Sequence, residues 1–444
     1  MSNSQEYISI YEQHHELIDK PCAALLNKAR GTAFEKFKKA GFPDIKEEDW
    51  RHTNVATKFA DNYGMNLGRV NTEASTREIF TCDVPNLRTN KAFIVNDSFQ
   101  AIGNYELPEG VLFGSLNQLA RENTSLLEPY YNQLAAEGDS IVQFNTSFAQ
   151  DGIVLYIPRS KEIEETIQIV SLLQANVEMM SNRRMLIILE EGAKASLLIC
   201  DHSSTGKKSL STQVTEVFIG KGASLDIYEL EETGESNTRI SNLFVRQDCD
   251  SNFNHCNITL TNGFTRNSIN VSLEGRGACC NITGLAIGDR KQQIDNHTLV
   301  EHKTSNCNSN ELYKYILDEE SIGVFAGKML IHTDAQQTNS QQTNRNLCLT
   351  SCARMYAQPQ LEIYADDVKC SHGSTVGQLD ENALFYMQQR GIPKEEARHL
   401  LMYAFAGEVI ENIKLDALRD RLHILIEKRF RGELNRCKGC SLCK

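Results

Sequence analysis

The sequence predicts a mainly β protein in which a β-solenoid core lies between two helical ends. From about residue 140 the chain consists of short β-type runs broken by Gly, Asn and Asp, and helical periodicity returns only after Gly377. Gly-Ala pairs at 192–193, 222–223 and 277–278 each end one run and lead into another. Such a degenerate repeat is typical of stacked solenoid rungs, because each rung buries its apolar face only against its neighbours.

Asparagine is frequent in the second half of the predicted core, and this enrichment supports the solenoid. Side-chain amides that stack along a solenoid can hydrogen-bond to one another. The residues are Asn257, Asn270, Asn281, Asn296, Asn306, Asn308, Asn310, Asn339, Asn344 and Asn346. The alternative fold is a twisted β-sandwich, which accounts less well for the long polar run from Thr333 to Asn346.

Helical patterns mark both ends of the chain. Apolar residues recur near helical spacing from Glu6 to Lys39, and Gly41-Phe42-Pro43 predicts the stop. The only Trp, Trp50, is interpreted as a structural anchor. Beyond Pro393, two apolar stripes predict amphipathic helices. We therefore predict an N-terminal helical domain (1–135), a β-solenoid core (136–375), a C-terminal helical domain (376–436) and a Cys-rich tail (437–444).

Composition excludes several classes of partner. The 444 residues carry a formal net charge of -12, which disfavours nucleic acid and anionic membranes because phosphate binding needs clustered Lys and Arg. Neither a signal-peptide pattern nor a run long enough to span a bilayer occurs, so we expect a cytoplasmic protein. The 14 Cys are then interpreted as thiols or metal ligands, most of them simply buried.

Two enzyme classes can be weighed from motifs. Gly206-Lys207-Lys208-Ser209 lacks the upstream Gly of a phosphate loop, since position 201 is Asp, and no nucleotide site is recognisable. A solenoid could instead be a carbohydrate-active enzyme, which needs carboxylates clustered in a groove. The nearest candidates, Asp366-Asp367 and Glu319-Glu320, lie beside predicted turns, where paired acids are ordinarily solvated.

Sulfur and imidazole groups are concentrated toward the end of the predicted core. They are His297, His302, Cys307, His332, Cys348, Cys352, Cys370 and His372. Cys370 and His372 are two residues apart, so on a strand both side chains project from one face and could ligate one iron together. On an ordinary strand, however, such a pair more often packs than binds a metal, so spacing alone favours packing.

The segment around this pair resembles a known family. The residues that carry the resemblance are Asp366 to Asp380 with its Lys369-Cys370-Ser371-His372-Gly373, then Asp295-Asn296-His297, Gln336 to Asn339, Asn344 to Leu347, Pro359 to Ile363, and Trp50 to Thr53. Together they resemble the SufB/SufD family of scaffold subunits of the SUF iron-sulfur cluster assembly system. The Lys-Cys-Ser-His-Gly form and the lack of a Cys-rich N-terminal segment favour the SufD type over a SufB-like paralogue.

The resemblance implies a right-handed parallel β-helix that pairs with SufB, and C-terminal helices that dock the ATPase SufC. The chain would be a scaffold without turnover of its own, and it could form a homodimer when isolated. His372 matches the family histidine proposed to face a SufB cysteine where a transient iron-sulfur cluster forms. Cys370 matches the family cysteine, as a ligand, a sulfur acceptor or a packing residue. Flavin, suggested for the family's complex, has no motif here.

The last residues depart from the family pattern. Cys437, Cys440 and Cys443 have C-x2-C-x2-C spacing, which resembles part of a ferredoxin ligand run without its fourth Cys and following Pro. Three thiolates would leave one open position on iron or zinc. The alternatives are a tail with incidental thiols and a stand-alone metal-binding protein built on the tail.

Overall fold

Two helices begin the chain. The structure, a computed structural model, describes residues 3–69, 84–101, 105–174, 177–203 and 207–433. Helix α1 (Asn3–Asp19) and helix α2 (Ala24–Ala40) are separated at Pro21, because proline offers no backbone N–H and its ring disfavours helix in the preceding residue. The predicted helical run is therefore two helices. It ends where predicted, at Gly41, which has φ 69° and donates its N–H to the Phe37 carbonyl at 2.7 Å.

The segment from residue 48 to residue 148 contains short helices and strands. They are two 3-10 helices (Glu48–Trp50 and Val55–Phe59), β1 (Gly64–Met65), β2 (Thr89–Val95), β3 (Ser98–Ala101), β4 (Leu112–Ser115), α3 (Leu116–Glu122), α4 (Thr124–Leu127) and α5 (Ser140–Phe148). β2 pairs in parallel with a core strand, and β4 pairs with another in antiparallel fashion. The predicted N-terminal helical domain, 1–135, thus also contributes strands to the core sheets.

The core is a parallel β-solenoid of about seven turns, as predicted. Its strands are β5 (Gly152–Ile157), β6 (Thr166–Leu173), β7 (Met179–Leu189), β8 (Lys194–Ser203), β9 (Ser209–Ile219), β10 (Ser224–Glu232), β11 (Asn237–Gln247), β12 (Asn252–Thr261), β13 (Phe264–Leu273), β14 (Cys279–Gly288), β15 (Gln293–His302), β16 (Asn308–Leu317), β17 (Ile322–Ile331), β18 (Thr338–Cys348), β19 (Arg354–Ile363) and β20 (Val368–Gly377). Odd-numbered strands form one sheet and even-numbered strands the other, and each strand pairs with the strand two positions on. The sandwich alternative is wrong, because consecutive core strands lie in different sheets.

The Gly-Ala repeat marks one row of corners. Gly192, Gly222 and Gly277 have φ of 70°, 64° and 76°, in the left-handed region that favours glycine. The alanine after each is fully buried and belongs to the apolar cluster between the sheets. Amide contacts of the expected kind also occur: Asn281 donates to Asn254 at 2.9 Å.

On the even sheet, the side chains that face the interior, the space between the two sheets, change character along the solenoid. One column of Cα partners in the even sheet runs through Ala195, Leu225, Phe253, Cys280, Ser309, Ser340 and Cys370. A second column runs through Leu197, Ile227, His255, Ile282, Glu311, Gln342 and His372. Both columns begin apolar and end polar.

Helices cover the outer faces of both sheets. The C-terminal helices are α6 (Glu381–Gln389), α7 (Lys394–Ile410) and α8 (Asp416–Phe430). Apolar residues of α7 and α8 pack against the outer face of the even sheet, where Lys314 Nζ donates to the Phe405 carbonyl at 2.9 Å. Trp50 anchors the N-terminal segment to the odd sheet, since it is buried and the Arg266 guanidinium lies 3.7 Å from its ring. No helix in the described ranges is long and apolar enough to cross a membrane.

Candidate functional site

The last turn of the solenoid is open. β19 pairs only with β17 and β20 only with β18, so among the described residues no strand covers their outer edges. Most side chains of β20 are exposed, whereas the inward-facing side chains of β18 beneath it are buried. An uncovered strand presents a row of unpaired backbone N–H and C=O groups. This open last rung therefore offers both a pairing edge and an accessible interior surface.

Cys370 and His372 share a face of β20, the one that looks into the interior. Cys370 packs on the apolar cluster of Ile331 and Ala335, and Ser374 donates its hydroxyl to Asn344 Oδ1 at 3.1 Å. His372 lies between them in the alternation of the strand, so it faces the same way. It is exposed because no further rung lies above it in the part of the chain that the structure describes. Burial raises the pKa of the Cys370 thiol, opposed by the Ser340 backbone N–H.

Two asparagines hold the second half of β20 in place. The side chains of Asn344 and Asn346 are buried and donate to each other at 3.2 Å and 2.6 Å. Asn346 also donates to the Thr375 carbonyl at 2.9 Å, and Asn344 accepts from Ser374. The edge strand is thus fixed by side chains of the rung beneath it as well as by the backbone ladder.

Cys370 stands on a row of hydroxyl groups. Beneath it in register is Ser340, whose Oγ lies 2.8 Å from Ser309 Oγ. Ser309 Oγ in turn lies 2.8 Å from His302 Nε2. Burial lowers the pKa of His302 to about 4, so its imidazole is neutral at physiological pH. This row supplies hydrogen bonds but no charge that would favour a thiolate.

His372 stands on a carboxyl and amide pair. Gln342, its Cα partner, donates Nε2 to Glu311 Oε2 at 2.8 Å. Both side chains are buried, and burial raises the pKa of Glu311 to about 7. Sequence reasoning assigned no role to either residue. The signal that could have found them is the rung period, since Glu311 and Gln342 are 31 residues apart.

Whereas His302 contacts the hydroxyl row beneath Cys370, His297 and His332 lie away from the Cys370 and His372 pair. His297 lies on the outer face of the odd sheet beside Asp295, with 2.9 Å between Nε2 and Oδ1, and His332 pairs with Glu301 at 2.7 Å. Within the part of the chain that the structure describes, no group of three or more His, Cys, Asp or Glu side chains is placed to hold a metal ion. The tail cysteines Cys437, Cys440 and Cys443 lie outside the described residues, and their ligand role stays a prediction.

The carboxylates considered for a carbohydrate enzyme do not converge. Glu319-Glu320 follows β16 of the even sheet, and Asp366-Asp367 follows β19 of the odd sheet, so the two pairs lie in turns on opposite margins of the solenoid. Glu319 Oε2 accepts the Arg290 backbone N–H at 2.8 Å, which is a turn contact. A groove with facing acids is not formed by these residues.

Comparison with known proteins is consistent with this architecture. A family model described as SUF system FeS cluster assembly, SufBD core domain, matches residues 172–405, and one described as SufBD protein N-terminal region matches residues 1–169. An iron-sulfur cluster assembly SufBD family protein of Synechocystis is 27% identical over 416 residues, 91% of each chain. The iron-sulfur cluster assembly protein SufD of Bacillus subtilis is 24% identical over 443 residues, 97% of this chain and 99% of the relative. SufD of Escherichia coli is 35% identical over 192 residues, 43% of this chain and 45% of the relative.

Proposed function

Because the chain belongs to the SufBD family of iron-sulfur cluster assembly proteins, we propose that it is a SufD-type scaffold whose open last rung is half of a cluster assembly site. The observation that carries the proposal is the placement of Cys370 and His372 on the accessible inner face of β20. One chain offers two ligand side chains there. A nascent cluster needs more, so a second protein must complete the site.

The chemistry of the two side chains suits assembly followed by release. A neutral imidazole is a more labile iron ligand than a thiolate, so His372 would hold a cluster without trapping it. Cys370 must lose its proton to bind iron or sulfur, and burial opposes that loss in the isolated chain. His372 is therefore the principal ligand in this proposal, and Cys370 a ligand or sulfur acceptor once a partner is bound.

The partner that the family suggests is SufB, joined through the open edges of β19 and β20. Addition of strands to an exposed edge satisfies its backbone groups, and it would bring residues of the second protein next to His372. The same edges would allow the isolated chain to form a homodimer. Such a homodimer would place two copies of the Cys370 and His372 pair together in place of two different halves.

The ATPase SufC would dock on the C-terminal helices. α6 has no buried residue, and its Phe385 and Tyr386 are 62% and 60% exposed. α7 and α8, by contrast, are packed on the even sheet. An apolar helix face next to a fixed helical platform suits a docking surface. ATP hydrolysis would then belong to SufC, and the chain itself would not be an enzyme.

Replacing His372 tests the proposed site. We expect His372→Ala, co-expressed with SufB and SufC, to leave the complex assembled but to lower its cluster content by roughly tenfold or more. Mutating a residue that only supports a metal ligand already weakens metal binding about tenfold, and loss of the ligand itself should have a larger effect. Visible absorbance and iron content of the purified complex measure this. Ser371→Ala is the matched control, because Ser371 is exposed on the opposite face of the same strand. Normal cluster content in the His372 variant would overturn the assignment.

We also propose that Cys437, Cys440 and Cys443 bind iron or zinc. Deleting residues 437–444 should then lower the metal content of the purified chain, measured by elemental analysis, while the Fe-S yield at the last rung persists. An unchanged metal content would identify the three cysteines as incidental thiols.

A further inference from the structure

Two hydrogen-bonded side chains lie beneath His372 in its column of the even sheet. Glu311 of β16 and Gln342 of β18 are Cα partners in the even sheet, and Gln342 is in turn the partner of His372. The side chains of Glu311 and Gln342 are almost wholly buried, with 1% and 0% exposure. Successive strands of a sheet are about 4.8 Å apart, so these three side chains stand on adjacent steps of one column.

The amide of Gln342 has one favoured orientation. Its Nε2 donates to Glu311 Oε2 at 2.8 Å, and an ionised carboxylate can only accept hydrogen bonds, so the NH2 group must face it. Gly327 of the facing sheet leaves the necessary space, because a Cβ at that position would lie 2.2 Å from Nε2. The amide is held between a carboxylate below and a glycine opposite.

This orientation leaves the amide oxygen of Gln342 without a partner. Oε1 is buried and makes no hydrogen bond to any described residue. An unsatisfied buried acceptor costs about 1–3 kcal/mol, so a donor next to it would be stabilised. With the NH2 group turned to Glu311, Oε1 remains available to a donor from the next step of the column, which carries His372, although no hydrogen bond joins the two side chains in this structure.

We propose that Glu311 and Gln342 are positioning residues that orient the His372 imidazole. In the proposed arrangement the exposed ring of His372 turns toward Gln342, and Oε1 then accepts the N–H of one ring nitrogen. This bond fixes the tautomer and leaves the lone pair of the other nitrogen for iron. Glu311 acts through Gln342 by holding its amide in the accepting orientation. The role toward iron rests on the proposed function of His372, whereas the effect on the imidazole does not.

The pH at which the pair works follows from its surroundings. Burial raises the pKa of Glu311 to about 7, and hydrogen bonding by the side chains of Thr298 and Gln342 opposes that rise. Above this value the carboxylate is ionised and holds the amide as described. Below it, a protonated Glu311 could donate to Gln342 Oε1 and reverse the amide. Measurements at pH 8 therefore examine the ordered state.

The test is the tautomer of His372 in the full-length, metal-free chain. With ring nitrogens labelled, long-range proton-nitrogen correlation spectra at pH 8 distinguish the tautomers, and His372→Gln assigns the signals by their loss. We expect one tautomer to predominate in the wild type. Gln342→Met keeps the shape of the side chain but removes the acceptor, so His372 should move to the mixture of an unconstrained imidazole. Gln341→Met, an exposed neighbour on the opposite face of β18, should change nothing.

A second variant, Glu311→Gln, tests the proposal if Gln342→Met does not fold. Glu311→Gln keeps the shape of the column but lets either end of the new amide face Gln342, so the single tautomer should also be lost. In the complex with SufB, Gln342→Met should weaken Fe(II) binding about tenfold, as removal of a ligand's supporting contact does. An unaltered tautomer in both variants overturns the proposal. An altered tautomer with normal cluster content supports the orienting role but shows that cluster binding does not depend on it, whereas the assignment of His372 as a ligand is tested separately by His372→Ala.

Discussion

The two ends of the solenoid differ in what covers them. At the first end the chain covers the interior itself, since β2 and β3 extend the even sheet, β4 extends the odd sheet, and Phe99 of β3 and Phe113 of β4 pack against the apolar cluster between the sheets. At the last end no strand among the described residues pairs with the outer edges of β19 and β20. The interior differs in the same sense: Leu197 and Ile227 begin the column that ends at Gln342 and His372.

This difference shows why one end can stay open in a stable chain. Exposing apolar interior would cost about 25 cal/mol for each Å² left in contact with water, so the apolar end must be covered. At the last end the even-sheet side of the interior is largely polar and can exchange its hydrogen bonds with water at little cost, while Leu361 of the odd sheet still packs against the apolar cluster. The last rung is therefore tolerable without a partner and remains available to one.

The largest contrast should come from matched Leu→Ala changes at the two ends. Leu197 is fully buried in the apolar cluster, whereas Leu361 of β19 is only partly buried against it. We expect Leu197→Ala to lower the free energy of unfolding by about 4 kcal/mol, and Leu361→Ala by about 1 kcal/mol, because a partly exposed site leaves a smaller cavity. Urea unfolding of the isolated chain measures both.

Binding of SufB would sharpen that contrast. If it covers the last rung, Leu361 becomes buried, and Leu361→Ala should then also weaken the complex, which a titration of the two proteins would measure. Equal losses for the two variants in the isolated chain would mean that the last turn is as well covered as the first.

A smaller effect should appear in the pH dependence of stability. Burial raises the pKa of Glu231 to about 7, although Arg239 and Thr265 oppose the rise. The folded state therefore holds this proton more tightly than the unfolded chain, whose carboxyl has a pKa near 4.5. Ionisation destabilises the fold by an amount that is absent below about pH 4.5 and complete above about pH 7.

Glu231→Gln removes that destabilisation. Relative to the wild type, its free energy of unfolding should rise between pH 5 and pH 8 by up to about 3 kcal/mol, measured by urea unfolding at each pH. Glu229→Gln is the informative comparison, because Arg239 and His255 outweigh its burial and lower the pKa of Glu229 to about 2. That variant should show no such gain. A flat difference for Glu231→Gln would mean that water reaches its carboxyl group inside the solenoid.

Much of the fold and part of the site could be predicted from residues alone. Gly192, Gly222 and Gly277 marked corners because left-handed backbone is a local property of glycine, and the spacing of Cys370 and His372 placed them on one face because strands alternate. The helical ends followed from local periodicity, except that Pro21 divides the first helical run.

The columns were decided only by the tertiary structure. Glu311, Gln342 and His372 stand together because successive turns of 31 and 30 residues bring them into register, and such turn lengths vary with each pair of corners. The pairing of β2 and β4 with the core likewise depends on contacts between segments distant in sequence. Local sequence preference determines where a strand starts and on which face each side chain lies. Which residues become neighbours on adjacent rungs depends on how the whole chain coils. The open edge of the last rung is likewise a tertiary property, because it exists only where no other described strand pairs with β19 and β20 on their outer side.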